Sequence, residues 1–247
     1  MTSSFKQLFL MNLRLVYRNT TGLFFTLVMP AIIYVALSIL PIGKFAGGIN
    51  YSHYLLPGII AMTIMQGGIY GLAYWMIDLK SRGVIKRFLV TPISQIELVL
   101  SVLASRVIIA IAQVVVLSVI GIIFFDAKIT LNILPVFVIT VLGASIFLLV
   151  GLLISMFADS YEAAAPITTA VGLPMTFLGN IFFPTDTLPK VLKTIGELLP
   201  ITYLADGLRT LFNDSGSWEA IGKDIGILLV WFVVVLGLTL WRFRLKE

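Results

Sequence analysis

Long apolar runs separated by short polar breaks fill the chain, and six of these runs reach or approach the length of a membrane-crossing helix. They are Leu23 to Gly43, Tyr54 to Ile77, Leu98 to Phe125, Leu131 to Ala158, Ala163 to Phe183 and Ile225 to Trp241. A hydrocarbon core about 30 Å thick needs roughly 20 apolar helical residues. The third and fourth runs exceed that length and should tilt or protrude. The sixth is short unless its helix begins near Trp218.

Two amphipathic segments flank the runs. Residues 5 to 18 fit a helix with Phe5, Leu8, Phe9, Leu13 and Val16 on one face and Gln7, Arg14 and Arg18 opposite. Such a helix can lie in the headgroup plane with its basic face toward anionic lipid. The competing reading makes it the start of a tilted first span. Asn19-Thr20-Thr21-Gly22 reads as a break and favours the interfacial helix. Between the fifth and sixth runs, LPKVLKTIGELLP places Leu188, Val191, Leu192, Ile195 and Leu199 at helical spacing. Pro200 ends it and ITYLADGLRTLF follows, so an outer helical hairpin dipping partly into the leaflet is expected. The fold expected is therefore an all-α membrane protein in a single domain over 1–247. It has six transmembrane helices, an N-terminal interfacial helix and an outer hairpin.

Composition strengthens this reading. Of 247 residues, 59% are hydrophobic and 12% charged, against roughly 25% charged in a soluble domain. The mean hydropathy is +1.06. So little polar surface cannot cover a water-soluble globule of this size. The start, MTSSFKQLFLMNLRLVYR, lacks the short basic head, unbroken apolar stretch and small-residue cleavage site of a removable leader.

Charge sets the expected orientation. Six spans put both termini on one side. With the loop after the second span, that side carries ten basic residues: Lys6, Arg14, Arg18, Lys80, Arg82, Lys86, Arg87, Arg242, Arg244 and Lys246. The other side carries six: Lys44, Lys128, Lys190, Lys193, Arg209 and Lys223. Basic residues collect on the cytoplasmic side, so both termini are expected in the cytoplasm and the chain in the cytoplasmic membrane. A net charge of +5 in this setting reflects topology, and no nucleic-acid partner is expected.

Candidate chemistry is sparse. Without cysteine, and with His53 as the sole histidine, a thiolate or His-rich metal site and a His-paired nucleophile are excluded. No catalytic residue or bound metal is expected. The Gly-Lys pairs, Gly43-Lys44 and Gly222-Lys223, lack the upstream glycine and following Ser/Thr of a phosphate loop, so nucleotide binding by that route is excluded. Asp206-Gly207 lacks the Ala-Arg that follows in lipid phosphotransferases. Polar groups inside spans default to functional hypotheses. Arg106 either snorkels to the inner interface or serves a pathway or gate. Gln66 and Gln113 are either interhelical hydrogen-bond donors or pathway residues. Gly67 and Gly71 form a GxxxG pair in the second span, a common pattern in apolar helices. Pro166 and Pro174 should kink the fifth span, and Pro174 joins the pathway candidates.

The segment DLKSRGVIKRFLVTPISQIE is the one sizeable inner loop. On charge alone it is a topology determinant, with Thr91-Pro92 opening a further helix as cap and first residue. Its SRGVIKRFLVTPIS stretch resembles the loop between the second and third spans of the ABC-2 type permeases. FLGNIFFPTDTLPKVLKTIGELLPITYLADGLRTLF resembles their fifth span and proline-punctuated outer hairpin. The two patterns stand in the right order across essentially the whole chain. The resemblance implies a permease subunit of an exporter for a hydrophobic or amphipathic substrate (drug, antibiotic or lipid). It implies a second permease copy, most simply a homodimer, and a separate cytoplasmic ABC ATPase that carries the ATP and Mg, this chain binding no cofactor. By position, Lys80, Arg82, Gly83, Lys86, Arg87, Thr91 and Pro92 would form the coupling helix that meets the ATPase. Export of a lipid-linked polysaccharide, or a non-transporting sensor or scaffold role, are the alternatives.

Overall fold

The computed structural model describes residues 2–40, 50–84, 95–127, 129, 132–213 and 217–244. Every regular element among them is helical. Helix α1 (Thr2–Arg18) is followed by α2 (Thr20–Leu23), a five-residue π-helical stretch (Phe24–Val28) and α3 (Met29–Ser38). Then come α4 (Tyr51–Ser81), α5 (Gln95–Phe125), α6 (Ile133–Phe157), α7 (Tyr161–Leu178), a 3-10 turn (Thr185–Thr187), α8 (Lys190–Leu198), α9 (Pro200–Asn213) and α10 (Gly222–Arg244).

Five segments are long and apolar enough to cross a membrane: Thr20–Ser38, Tyr51–Ser81, Glu97–Phe125, Ile133–Phe157 and Gly222–Arg242. The fifth run of the sequence forms α7, which ends at Leu178 rather than Phe183. Glu162, two prolines and three threonines dilute its apolar content. After it, Gly179 caps the helix and Asn180 takes a left-handed backbone with φ 58°. The break expected at Asn19 is present: its side chain caps α2 by accepting from the Gly22 N–H at 2.9 Å.

α4 occupies the centre of the bundle. Of its most apolar window 78% is buried, against 17% for the first span and for α10. Yet α4 has the lowest mean hydropathy of the five, 1.5 against 3.0 for α5. The ordering follows from the solvent, since a helix facing hydrocarbon must be apolar outward whereas one surrounded by protein can carry polar groups that find partners. At about 1.5 Å per residue, its 31 residues span about 46 Å, so it projects beyond the hydrocarbon.

Close packing of α4 on α6 depends on Gly68 and Gly151. A Cβ on Gly68 would run into the backbone at Phe147 and Leu148, and one on Gly151 would meet the Gly68 carbonyl. The GxxxG pair Gly67 and Gly71 therefore does not form this seam: Gly67 faces open space, and beside Gly71 stands only the Arg106 guanidinium. α7 is seated on α4 through tyrosines. The Tyr70 hydroxyl stands where a Gly172 side chain would be, and the Tyr74 hydroxyl lies 3.1 Å from Thr168 Oγ1.

The α8–α9 hairpin is asymmetric. α9 buries Ile201, Leu204, Ala205, Leu208, Leu211 and Phe212 against α4, α6 and α10. α8 leaves Val191, Leu192, Ile195 and Leu198 exposed. α1 packs its Leu8 and Asn12 face against the N-terminal part of α5, where Asn12 Nδ2 donates to Ser101 Oγ at 3.1 Å, and leaves Gln7, Arg14 and Arg18 exposed.

Candidate functional site

Gln66, Arg106 and Gln113 come together around one cavity of about 200 Å³, between the π-helical turn, α4 and α5. Pro174 is not among its lining; it lies in α7, away from the other three. The local reason begins at Pro30. Proline has no N–H to give the carbonyl four residues earlier, so Thr26 O is released and the chain widens into the π turn. Gln113 Nε2 donates to that carbonyl at 3.1 Å. In hydrocarbon a released carbonyl must find such a donor, and α5 is thereby tied to the first span at the cavity wall.

Arg106 is half-buried, with its Nη1 3.5 Å from where a Gly71 Cβ would stand. Gly71 is thus a notch that admits the guanidinium against α4. Arg106, Thr26 and Ile109 also line a second cavity of about 410 Å³ toward α1 and the C-terminal end of α4, whose wall includes Asn12, Trp75, Asp78 and Arg82. The two chambers meet at Arg106.

At the C-terminal end of α4 the coupling candidates divide. Gly83 has φ 67°, a left-handed conformation that glycine adopts without strain, and its N–H bonds Lys80 O at 3.0 Å to end the helix. The Lys80 ammonium donates to Ser155 O and, at 3.5 Å, to Ala158 O, with Asp159 Oδ1 at 3.4 Å. Those carbonyls end α6, where a cation is favoured by the helix dipole. Arg82 pairs with Asp78 at 2.8 Å, and Tyr161 of α7 donates to the same Asp78 oxygen at 3.3 Å. The end of α4 is so latched to the α6–α7 turn. Lys86, Arg87, Thr91 and Pro92 lie outside the described residues.

A second polar cluster, at the start of α4, was not assigned from the sequence. Arg209 of α9 bonds Asp206 Oδ1 at 2.5 Å and Asn180 O at 2.8 Å, and stacks its guanidinium 3.9 Å from the Tyr54 ring centroid. Asn180, in its left-handed conformation, accepts from the Tyr54 hydroxyl and the Thr185 N–H and donates to Asp206. Burial pushes the Asp206 carboxyl above its ordinary pKa, against the pull of Arg209 and Asn180. Asp206 and Arg209, three residues apart on a helix otherwise buried by apolar side chains, are the signal that could have marked it. The cluster clamps the end of α7, the start of α4 and the hairpin. The same rule as at Pro30 operates here: Pro57 releases His53 O, which Asn213 Nδ2 meets at 3.4 Å. Where α8 ends, Gly196 O accepts from the Leu199 N–H at 3.1 Å and from Thr202 Oγ1 at 2.6 Å. Among the described residues no group of three or more His, Cys, Asp or Glu stands together as a metal site.

A family profile described as "ABC-2 family transporter protein" matches residues 41–241. The chain is 25% identical over 194 residues to the "Inner membrane transport permease YadH" of Escherichia coli (strain K12), covering 78% of this chain and 75% of that protein. It is 26% identical over 206 residues to "Nodulation protein J" of Rhizobium leguminosarum bv. trifolii, covering 81% and 76%. It is 24% identical over 190 residues to the "Probable multidrug ABC transporter permease YbhS" of Escherichia coli (strain K12), covering 76% of this chain and 50% of that one.

Proposed function

The chain belongs to the ABC-2 transporter family, and on that premise we propose that it is the permease subunit of an exporter for hydrophobic or amphipathic molecules. A separate cytoplasmic ABC ATPase binds and hydrolyses the ATP with its Mg; this chain holds no cofactor. Two copies form the membrane unit, each with six spans, α7 serving as the fifth. Both termini face the cytoplasm, with α1 in the inner interface and the segment from Lys80 to Pro92 against the ATPase. Drugs, antibiotics or lipids are the substrate class, in keeping with a relative whose printed name is a multidrug permease.

The observation that carries this reading is the inner latch. Lys80, with Asp78 bonded by Arg82 and Tyr161, ties the end of α4 to the α6–α7 turn. A push delivered to the residues after Gly83 therefore reaches two helices at once. Closure of the ATPase pair on Arg82, Lys86, Arg87, Thr91 and Pro92 biases the membrane dimer between two arrangements.

The test is reconstitution with the ATPase partner in liposomes. Lipophilic substrates should stimulate hydrolysis and cross the membrane, and Arg82→Glu with Arg87→Glu should leave hydrolysis running while transport falls. Unchanged coupling in that double variant rejects the docking assignment, and no stimulation by any lipophilic compound rejects export.

A further inference from the structure

We infer that the cavity at Arg106 is a receptor for the anionic headgroup of an amphiphile, such as a carboxylate, sulfate or phosphate ester on an alkyl chain. This rests on the export reading and names the substrate class for it.

The argument starts from an imbalance. A guanidinium carries five N–H donors and a permanent charge. Among the described residues, Arg106 makes no hydrogen bond and no ion pair, whereas Arg82 and Arg209 each hold a carboxylate. Charges within a bundle ordinarily pair or face a polar cavity, because desolvating an ion costs several kcal/mol. Arg106 faces a cavity, and glycine at position 71 leaves its guanidinium room against α4. The carboxylate that lines the second chamber, Asp78, is already bonded by Arg82 and Tyr161. The site thus keeps a net positive charge for a ligand to neutralise.

The surroundings specify the rest of the ligand. Gln66 lines the cavity with an amide able to donate to an anion's second oxygen. Phe25, Ile64, Ile109 and Leu148 supply an apolar wall for an alkyl chain. About 200 Å³ is a volume for a headgroup and a few methylenes, not for a whole lipid. The second chamber meets this one at Arg106, so entry runs from the side on which the proposed ATPase sits.

The experiment uses the full chain in phosphatidylcholine nanodiscs, titrated with radiolabelled dodecyl phosphate, dodecyltrimethylammonium and inorganic phosphate, with empty nanodiscs subtracted. Dodecyl phosphate should bind at least tenfold tighter than dodecyltrimethylammonium, and millimolar inorganic phosphate should not displace it. Arg106→Gln should abolish the preference, and Arg106→Lys should keep part of it. Gly71→Leu, which fills the notch without removing the charge, should weaken binding of dodecyl phosphate several-fold in a protein that melts normally. Equal binding of the two headgroups, or full binding by Arg106→Gln, overturns the proposal. Displacement by inorganic phosphate alone overturns the amphiphile in favour of a free anion. Replacing part of the phosphatidylcholine with phosphatidylglycerol separates a resident lipid from a cargo: cargo still binds, and it moves on ATP addition in liposomes of the same lipid composition that also hold the ATPase partner, while loss of all binding overturns the cargo assignment. Charge-selective binding without ATP-driven movement supports the site and rejects the export reading. ATP-driven movement of both headgroups alike rejects the site and keeps export.

Discussion

Neighbouring glycines in α4 should respond to the same substitution with opposite signs. Gly68→Ala places a methyl against the backbone of α6 at Phe147 and Leu148, atoms that cannot rotate away. Overpacking of this kind costs about 1–3 kcal/mol, and the rigid neighbour argues for the upper part of that range. The substitution also gains the helix preference of alanine over glycine, about 0.8–1 kcal/mol. The net is a loss of about 1–2 kcal/mol. Gly67→Ala meets nothing within 4 Å and keeps the gain alone. At about 2–4 °C per kcal/mol for a chain of this size, the two variants should melt about 4–12 °C apart, on either side of the parent. Intrinsic fluorescence of the 4 tryptophans in detergent micelles reads this directly. If Gly67→Ala is the more damaging of the two, α4 packs along the GxxxG stripe and the seam described above is wrong.

Three further outcomes follow from the bonds at the seams. Gln113→Leu should destabilise by about 1–2 kcal/mol, read as melting temperature, because Thr26 O loses its donor in an apolar setting; no loss would show that the π turn satisfies itself. Asp206→Ala leaves Arg209 with the Asn180 and Tyr54 carbonyls and a tyrosine face but no carboxylate, and should cost about 1–3 kcal/mol and increase proteolysis of the 179–189 segment; an unchanged cleavage pattern would refute the clamp. Lys80→Ala should lower transport in the reconstituted complex more than it lowers melting temperature, since its ammonium links α4 to the end of α6; equal losses would mark it as a stabilising cap only.

Much of the architecture was legible because hydrophobic run length is a property of the chain itself. The break at Asn19 and the end of α8 before Pro200 follow from local chemistry, and the shared face of Arg106 and Gln113 follows from helical phase; that Gln66 of α4 lines the same cavity does not. What escaped was pairwise. Which glycine of Gly67-Gly68 meets another helix depends on the rotation of α4, and an all-round apolar helix carries no phase to read. The clamp at the start of α4 needs Asn180 in a left-handed turn to bring Tyr54 and Asp206 together, and Tyr54 and Asn180, 126 positions apart in sequence, leave no periodic trace. α7 fell short of its expected length because Gly179 and Asn180 stop the helix before Phe183, although the run of apolar letters continues.

The wide turn at Phe24–Val28 inserts one residue into the first span without breaking it. Because each helical residue turns the chain by about 100°, the side chains before Phe24 and those after Met29 lie on wheels offset by about that angle. A single helical projection drawn through Thr20 to Ser38 therefore assigns one half of the span to the wrong side. An alignment with a relative whose first span is unbroken should open a one-residue gap near Thr26, and cross-linking pairs chosen on either side of Pro30 should be phased separately.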